Sequence, residues 1–346
     1  MRLWNPATGA ATHILTGHTR QVTALAVAPD GSWLATAGDS GEVLLWDPST
    51  GAAGHVLTDH TSRVWALAVA PDGSWLASAD DGGQVRLWNP VTGAAGHVLT
   101  GHTSRVWALA VAPDGSWLAS ADDGGQVRLW NPVSGTAAHT LTGHTRQVTA
   151  LAATPDGSWL VSAGRYDEEV RVWDPSADAA GQAFTGHTRE VAALVVAPDG
   201  SWLASADDGG KVWIWNATSG TAGHALTGHT RRVPVLAVAP DGSWLASADD
   251  GGEVRLWNPI TGTPRHTLTG HTSTVRALAV APDGSWLASA NDSGELRLWN
   301  PITGTPRHTL TGHTRGVAVL AVAPDGSWLA SAGDGWTVPD LVDTWS

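Results

Sequence analysis

Short apolar runs separated by turn residues recur along this chain, with almost the same wording each time. In the second complete copy the run is VWALAVA, Val64 to Ala70, and it holds no charge. Pro71-Asp72-Gly73 follows as a tight turn, since Pro presets φ and Gly accepts positive φ. WLASA (Trp75 to Ala79) is predicted as a second strand. DDGG (Asp80 to Gly83) reads as a hairpin turn, QVRLW (Gln84 to Trp88) as a third strand, and HVLT (His97 to Thr100) as a fourth after a looser connection. Along the first strand Val64, Ala66 and Ala68 fall on one side and Trp65, Leu67 and Val69 on the other. Both sides are apolar, which suits a sheet packed between two neighbours. No long segment has the 3.6-residue period of a helix.

The copies are marked by histidines at His18, His60, His102, His144, His187, His229, His271 and His313. They stand 42 residues apart, except for 43 between His144 and His187, where GRYDEE (Gly164 to Glu169) carries the extra residue. A period near 42 with four strands per unit selects a propeller. The predicted fold is all-β: an eight-bladed β-propeller of four-stranded antiparallel blades. The chain starts in mid-unit. Met1 to Pro6 matches a third strand and Thr12 to Thr16 a fourth, while the last unit has only its first two strands, and Leu341 stands where its Trp is due. The N-terminal strands are therefore expected to complete the C-terminal blade and close the ring, with Trp4 as the missing Trp. The expected organisation is one propeller over residues 1–335 and a divergent tail over 336–346, where Pro339 argues against a regular strand.

Gly-His before the first strand, Ser or Thr in the second and Trp closing the third give the chain its resemblance to the WD-repeat (WD40) β-propellers. The match runs over residues 1 to about 335. That resemblance implies a buried hydrogen-bonded tetrad in each blade, made of His, Ser or Thr, Trp and a turn Asp. The carry-over is His18, Thr36 and Trp46; His60, Ser78 and Trp88; His102, Ser120 and Trp130; and, across the ring closure, His313, Ser331 and Trp4. A buried indole N–H needs an acceptor, and a hydroxyl and an imidazole can relay the bond. Two departures stand out. Trp-Asp is mostly Trp-Asn, kept only at Trp46-Asp47 and Trp173-Asp174. The turn Asp, expected six residues before the Trp, lies seven before it at Asp39, Asp81, Asp123, Asp208, Asp250 and Asp292; only Asp167 lies at six. The fourth tetrad member is left open.

Variation collects just after the histidines. Three residues on stand Gln21, Arg63, Arg105, Gln147, Glu190, Arg232, Thr274 and Gly316; five on stand Thr23, Trp65, Trp107, Thr149, Ala192, Pro234, Arg276 and Ala318. By resemblance these lie on the rim of the top face, where partners dock. Arg and Trp are favoured at interaction hot spots. The expected partner-binding set is Arg63, Trp65, Arg105, Trp107, Arg232, Arg276, Glu190, Gln21 and Gln147. Against it stands a plainer reading, in which the indoles pack between blades and the arginines pair with neighbouring turn aspartates.

Composition narrows the function further. The chain has 346 residues, no Cys and a formal net charge of −13. Disulfides and Cys-containing zinc sites are excluded, and nucleic acid is an unfavourable partner for so acidic a chain. No apolar run approaches a membrane span, so a cytoplasmic monomer without membrane attachment is expected. Eighteen Arg against one Lys suggests a GC-rich bacterial genome. No catalytic residues, cofactor or metal are expected: there is no nucleophile elbow or phosphate-binding loop, and Asp80-Asp81 lacks the later Glu of a calcium loop. His13, His55, His97, His139, His224, His266 and His308, one per outer strand, read as a solvated edge rather than a metal site. The expected function is a non-enzymatic scaffold or recognition module that binds a protein or peptide on its top face. The alternative is a small-ligand or glycan-binding module using second-strand indoles such as Trp33.

Overall fold

A computed structural model describes residues 1–177, 182–217 and 219–333. The tail expected at 336–346 lies outside them. The described residues form eight sheets, each of four antiparallel strands. The second blade stands for the rest: β7 (Val64–Val69), β8 (Leu76–Asp80), β9 (Val85–Trp88) and β10 (Ala95–Leu99), paired in sequence order. The outer strand begins two residues before the predicted His97. Its residues Ala95, Gly96 and His97 are exposed, so no apolar alternation announces its start.

The closing blade takes β31 (Val317–Val322) and β32 (Leu329–Gly333) from one end of the chain, and β1 (Arg2–Trp4) and β2 (Ala11–Ile14) from the other. The register is Arg2 to Ser331, Leu3 to Ala330 and Trp4 to Leu329. The β1–β32 ladder thus joins the two chain ends and gives the closing blade the same four strands as the others.

Blade-to-blade packing explains why both faces of a strand are apolar. Ala77, Ala79, Val85, Leu87 and Leu99 of the second blade form one cluster with Val106, Leu118 and Trp130 of the third. The same kind of cluster recurs between other neighbours. Each fully buried large side chain contributes roughly 1.5–3 kcal/mol.

Two local features place side chains at the rims. Val64 pairs with Asp80 but Ala66 with Ala79, so Trp65 is the extra residue of a β-bulge. Trp107 and Arg276 stand at the same bulge in their own blades. A bulge re-aims its residue, and here that residue stands at the start of the inner strand. On the outer edge His55 bonds the Val91 carbonyl of the next blade at 3.0 Å. His97, His224, His266 and His308 make the same bond to Val133, Ile260, Ile302 and Ala7. These histidines latch adjacent blades; the expectation of a merely solvated edge is corrected on this point.

Candidate functional site

The buried polar chain in each blade comes first, because it fixes the loops above it. In the second blade Trp88 Nε1–H donates to Ser78 Oγ at 2.7 Å, Ser78 meets His60 Nε2 at 2.6 Å, and His60 Nδ1 meets Asp80 Oδ2 at 2.8 Å. The third blade repeats it with Trp130, Ser120, His102 and Asp122. Asp80 Oδ1 also accepts the amides of Gly82 and Gln84, both at 2.9 Å. One carboxylate thereby ties the histidine loop to the hairpin turn. Burial raises the pKa of Asp80, but the His60 contact and the two amides outweigh it and hold the carboxyl below its ordinary value.

The fourth tetrad member is thus Asp80, Asp122, Asp207 and Asp249, at or just past the end of the second strand and eight before its Trp rather than seven. The sequence reading looked one position too late. Asp167 is in the tetrad, as its spacing suggested, at 2.8 Å from His144. The inserted residue makes this possible. Gly164 holds the usual Asp position, and a Cβ there would lie 1.8 Å from Asp167 Oδ1, so the lengthened turn brings a carboxylate back into the vacant place.

The aspartates seven before the Trp serve the top rim. Arg63 Nη2 donates to Asp39 of the preceding blade at 2.7 Å. Arg105 donates in the same way to Asp81, and Arg232 Nε pairs with Asp208 at 2.8 Å. Within their own blades Trp65 Nε1–H donates to Asp81 at 2.7 Å and Trp107 Nε1–H to Asp123. Arg276 grips Asp292 of its own blade with two nitrogens, and Glu190 pairs with Arg165 at 3.0 Å. The two indoles pack at a tilt of 43° with centroids 4.5 Å apart. The Arg105 guanidinium lies 5.1 Å from the Trp65 centroid and 4.8 Å from that of Trp107, and Arg63 lies 4.7 Å from Trp65. The result is a ladder, Arg63–Trp65–Arg105–Trp107, with both indoles half-buried. The predicted arginines are therefore ion-paired, as the plainer reading held, yet they remain about one third exposed (36 % for Arg63 and 33 % for Arg105). Gln147 is buried and Gln21 half-buried; each gives its carbonyl to the turn amide of its own blade.

The family model described as "WD domain, G-beta repeat" matches residues 9–47, 51–89, 93–131, 135–174, 181–216, 220–258, 262–300 and 304–338. The chain belongs to the WD-repeat family. Among curated proteins no sequence matches it. Among solved structures it resembles the computationally designed Ika8 protein, at 26% identity and a TM-score of 0.80, over 93% of this chain and 98% of that one. WD-repeat propellers commonly serve as protein-interaction scaffolds and are typically non-enzymatic.

This WD-repeat ring is not uniform. Among the described residues three adjacent blades have no aspartate at the tetrad position: Gly38 holds its place beside His18, Asn291 beside His271 and Gly333 beside His313. A Cβ on Gly38 would lie 1.9 Å from the Gln21 carbonyl oxygen, and one on Gly333 2.0 Å from that of Gly316, so neither site admits an aspartate. Without that partner, burial pushes each of the three imidazoles down to about 4. The α-ammonium of Met1 adds to the effect at His18 and His313. At His271 the Glu295 carboxylate opposes it and Arg297 adds to it.

His144, Asp167 and Glu169 bring metal-binding atoms within 4.8 Å of one another. Each already has a protein partner, since Arg171 holds Glu169 while Ser162 and Asp167 hold His144. We read the cluster as structural. Of the second-strand indoles, Trp202, Trp244 and Trp286 are buried at 5 % exposure, which removes three stacking faces from the glycan alternative.

The tetrad assignment has a direct test. Asp80→Ala leaves the His60 imidazole and the Gly82 and Gln84 amides without their acceptor, and is expected to cost about 2–3 kcal/mol. Asp81→Ala, one residue on, faces the rim and is expected to cost about 1 kcal/mol or less. Urea midpoints of the two variants in the reverse order would refute the assignment.

Proposed function

We propose that this propeller is a non-enzymatic recognition module that binds a protein or peptide on its top face. One observation carries the reading: the Arg63–Trp65–Arg105–Trp107 ladder stands half-exposed on one rim of a rigid ring. Aromatic and guanidinium groups offer contact area at low cost in conformational entropy when they are already held in place. Here Asp39 and Asp81 hold the guanidinium groups, and Asp81 and Asp123 hold the indoles.

The test is selection from a displayed random peptide library against the wild type and a Trp65→Ala/Trp107→Ala/Arg232→Ala variant, both checked by circular dichroism. Peptides enriched on the wild type are expected to bind the variant at least about tenfold more weakly, a loss of about 1.4 kcal/mol. Selected peptides that bind both proteins equally would move recognition off this rim. A library that yields no binder would count against the module itself.

A further inference from the structure

Around the rim, the turn residue of one blade faces the residue three after the histidine of the next. Asp39 meets Arg63, Asp81 meets Arg105 and Asp208 meets Arg232. Between the fourth and fifth blades the charges are exchanged. Arg165 holds the turn position, its amide bonded to the Gln147 carbonyl as that of Asp81 is bonded to Arg63, and Glu190 supplies the carboxylate. At these four steps a carboxylate meets a guanidinium whichever blade provides which half, whereas Asp250 faces Thr274 and the step after Asp292 has Gly316.

Between the third and fourth blades the step is half built. Asp123 is exposed and accepts Trp107 Nε1–H, as Asp81 accepts that of Trp65. Gln147 stands where the arginine belongs, and Asp123 has no ion-pair partner among the described residues. At this place lies a cavity of about 510 Å³, lined by Trp107, Asp123, Gln147 and Tyr166 together with three arginines, Arg105, Arg146 and Arg165.

We propose that this cavity receives an arginine side chain from a partner peptide. The inference rests on the top-face reading and names what the partner must carry. The bound guanidinium would pair with the Asp123 carboxylate and lie against Trp107, taking the place that Arg105 holds one blade earlier between Asp81 and Trp65. A planar fork suits both contacts, and a lysine ammonium matches neither as well. Of the three arginines that line the cavity, Arg105 and Arg165 are neutralised by Asp81 and Glu190, which leaves Arg146 to set against Asp123. The net charge of −13 favours the approach of a cation.

The test follows the Trp107 indole N–H resonance of the full chain, assigned through Trp107→Phe, during titration with Ac-Gly-Arg-Gly-NH2. Lysine, citrulline and aspartate peptides of the same length serve as comparisons. The arginine peptide is expected to shift the resonance saturably, the lysine peptide to bind at least about tenfold more weakly, and the other two to leave it in place. Asp123→Asn keeps an acceptor for Trp107 but removes the charge. Gln147→Arg fills the step from within. Each is expected to weaken the arginine peptide at least about tenfold. The proposal is overturned if the arginine peptide leaves the resonance unmoved, if either variant binds it like the wild type, or if the aspartate peptide binds through Arg146 instead. Library peptides that need the rim but lack arginine and still bind Gln147→Arg would sink this site while leaving the top-face reading intact.

Discussion

Trp4→Ala is expected to loosen the ring closure more than any other single truncation. Trp4 is 1 % exposed, and its Nε1–H donates to Ser331 Oγ across 327 residues of sequence at 2.7 Å. Ser331 in turn meets His313 at 2.7 Å. Removing a buried indole costs roughly 3–5 kcal/mol, before counting the hydroxyl left without its donor. Trp4 also packs with Leu296, Leu298 and Leu310 of the seventh blade, so the loss reaches two blades at once. The larger version of the experiment deletes residues 1–15. It strips β1 and β2 from the closing blade and leaves the edge of β32 that faced β1 unpaired, a template for association. The expected outcome is a chain that oligomerises or unfolds non-cooperatively, with monomeric behaviour restored by adding the 1–15 segment as a peptide. A deletion variant that stays monomeric with an unchanged melting temperature would show that closure contributes little.

The second expected result is an acid response confined to one arc of the ring. His18, His271 and His313 belong to three neighbouring blades, including the one that joins the chain ends, and each is held near 4 by burial with no aspartate at the tetrad position; at His271 the Glu295 carboxylate, 3.5 Å away, opposes the shift without cancelling it. In the unfolded chain a histidine titrates near 6.5. Above pH 6.5 these groups are neutral in both states and stability does not depend on them. As pH falls from 6.5 toward 4 the unfolded state takes up protons that the folded state refuses, so stability falls. Allowing for partial solvent access, the loss at pH 4.5 is on the order of 2 kcal/mol for each histidine.

The tetrad aspartates act lower on the scale. Asp80, Asp122, Asp167, Asp207 and Asp249 have depressed pKa values, so their contribution is intact above the ordinary carboxyl value and is lost only as pH falls below it. Urea unfolding between pH 7.5 and 4.5 is expected to show an uptake of two to three protons on unfolding, about one for each of the three histidines. Amide exchange at pH 5 is expected to rise first around the blade holding Trp4 and its two neighbours. Asn291→Asp, which supplies His271 with the acceptor that His60 finds in Asp80, is expected to remove about one proton from that uptake. A flat stability profile, or protection lost evenly around the ring, would count against this account.

The repeat told most of the fold before any coordinate. Apolar residues on both faces of VWALAV, a turn after each run and a period of 42 leave few arrangements other than blades packed on blades. The half-units at the two ends specified the closure, because an unmatched third strand and a unit without its Trp complete each other. The site was harder to read. In Asp80-Asp81 two adjacent carboxylates point to different tasks, the first down to His60 and the second up to the rim. Spacing in one dimension could not separate them, since their directions come from the bulge and the hairpin turn. The sequence carries one clue, that Asp80 directly follows the small apolar run LASA; in the structure it ends that buried strand at 1 % exposure, whereas Asp81 begins the turn.

The sequence by itself determined the number of blades, the order of strands, the pairing of the ends and which residue types vary at the rim. These follow from short-range alternation, turn chemistry and repeat length, all of them local properties of the chain. Tertiary structure decided which carboxylate meets which imidazole, that Arg63 and Arg105 reach back to the preceding blade, and that Asp123 is left without a guanidinium. Those contacts run between residues 16 to 24 positions apart, often across a blade boundary. Their geometry depends on how two sheets are set against each other, and no local pattern encodes that angle.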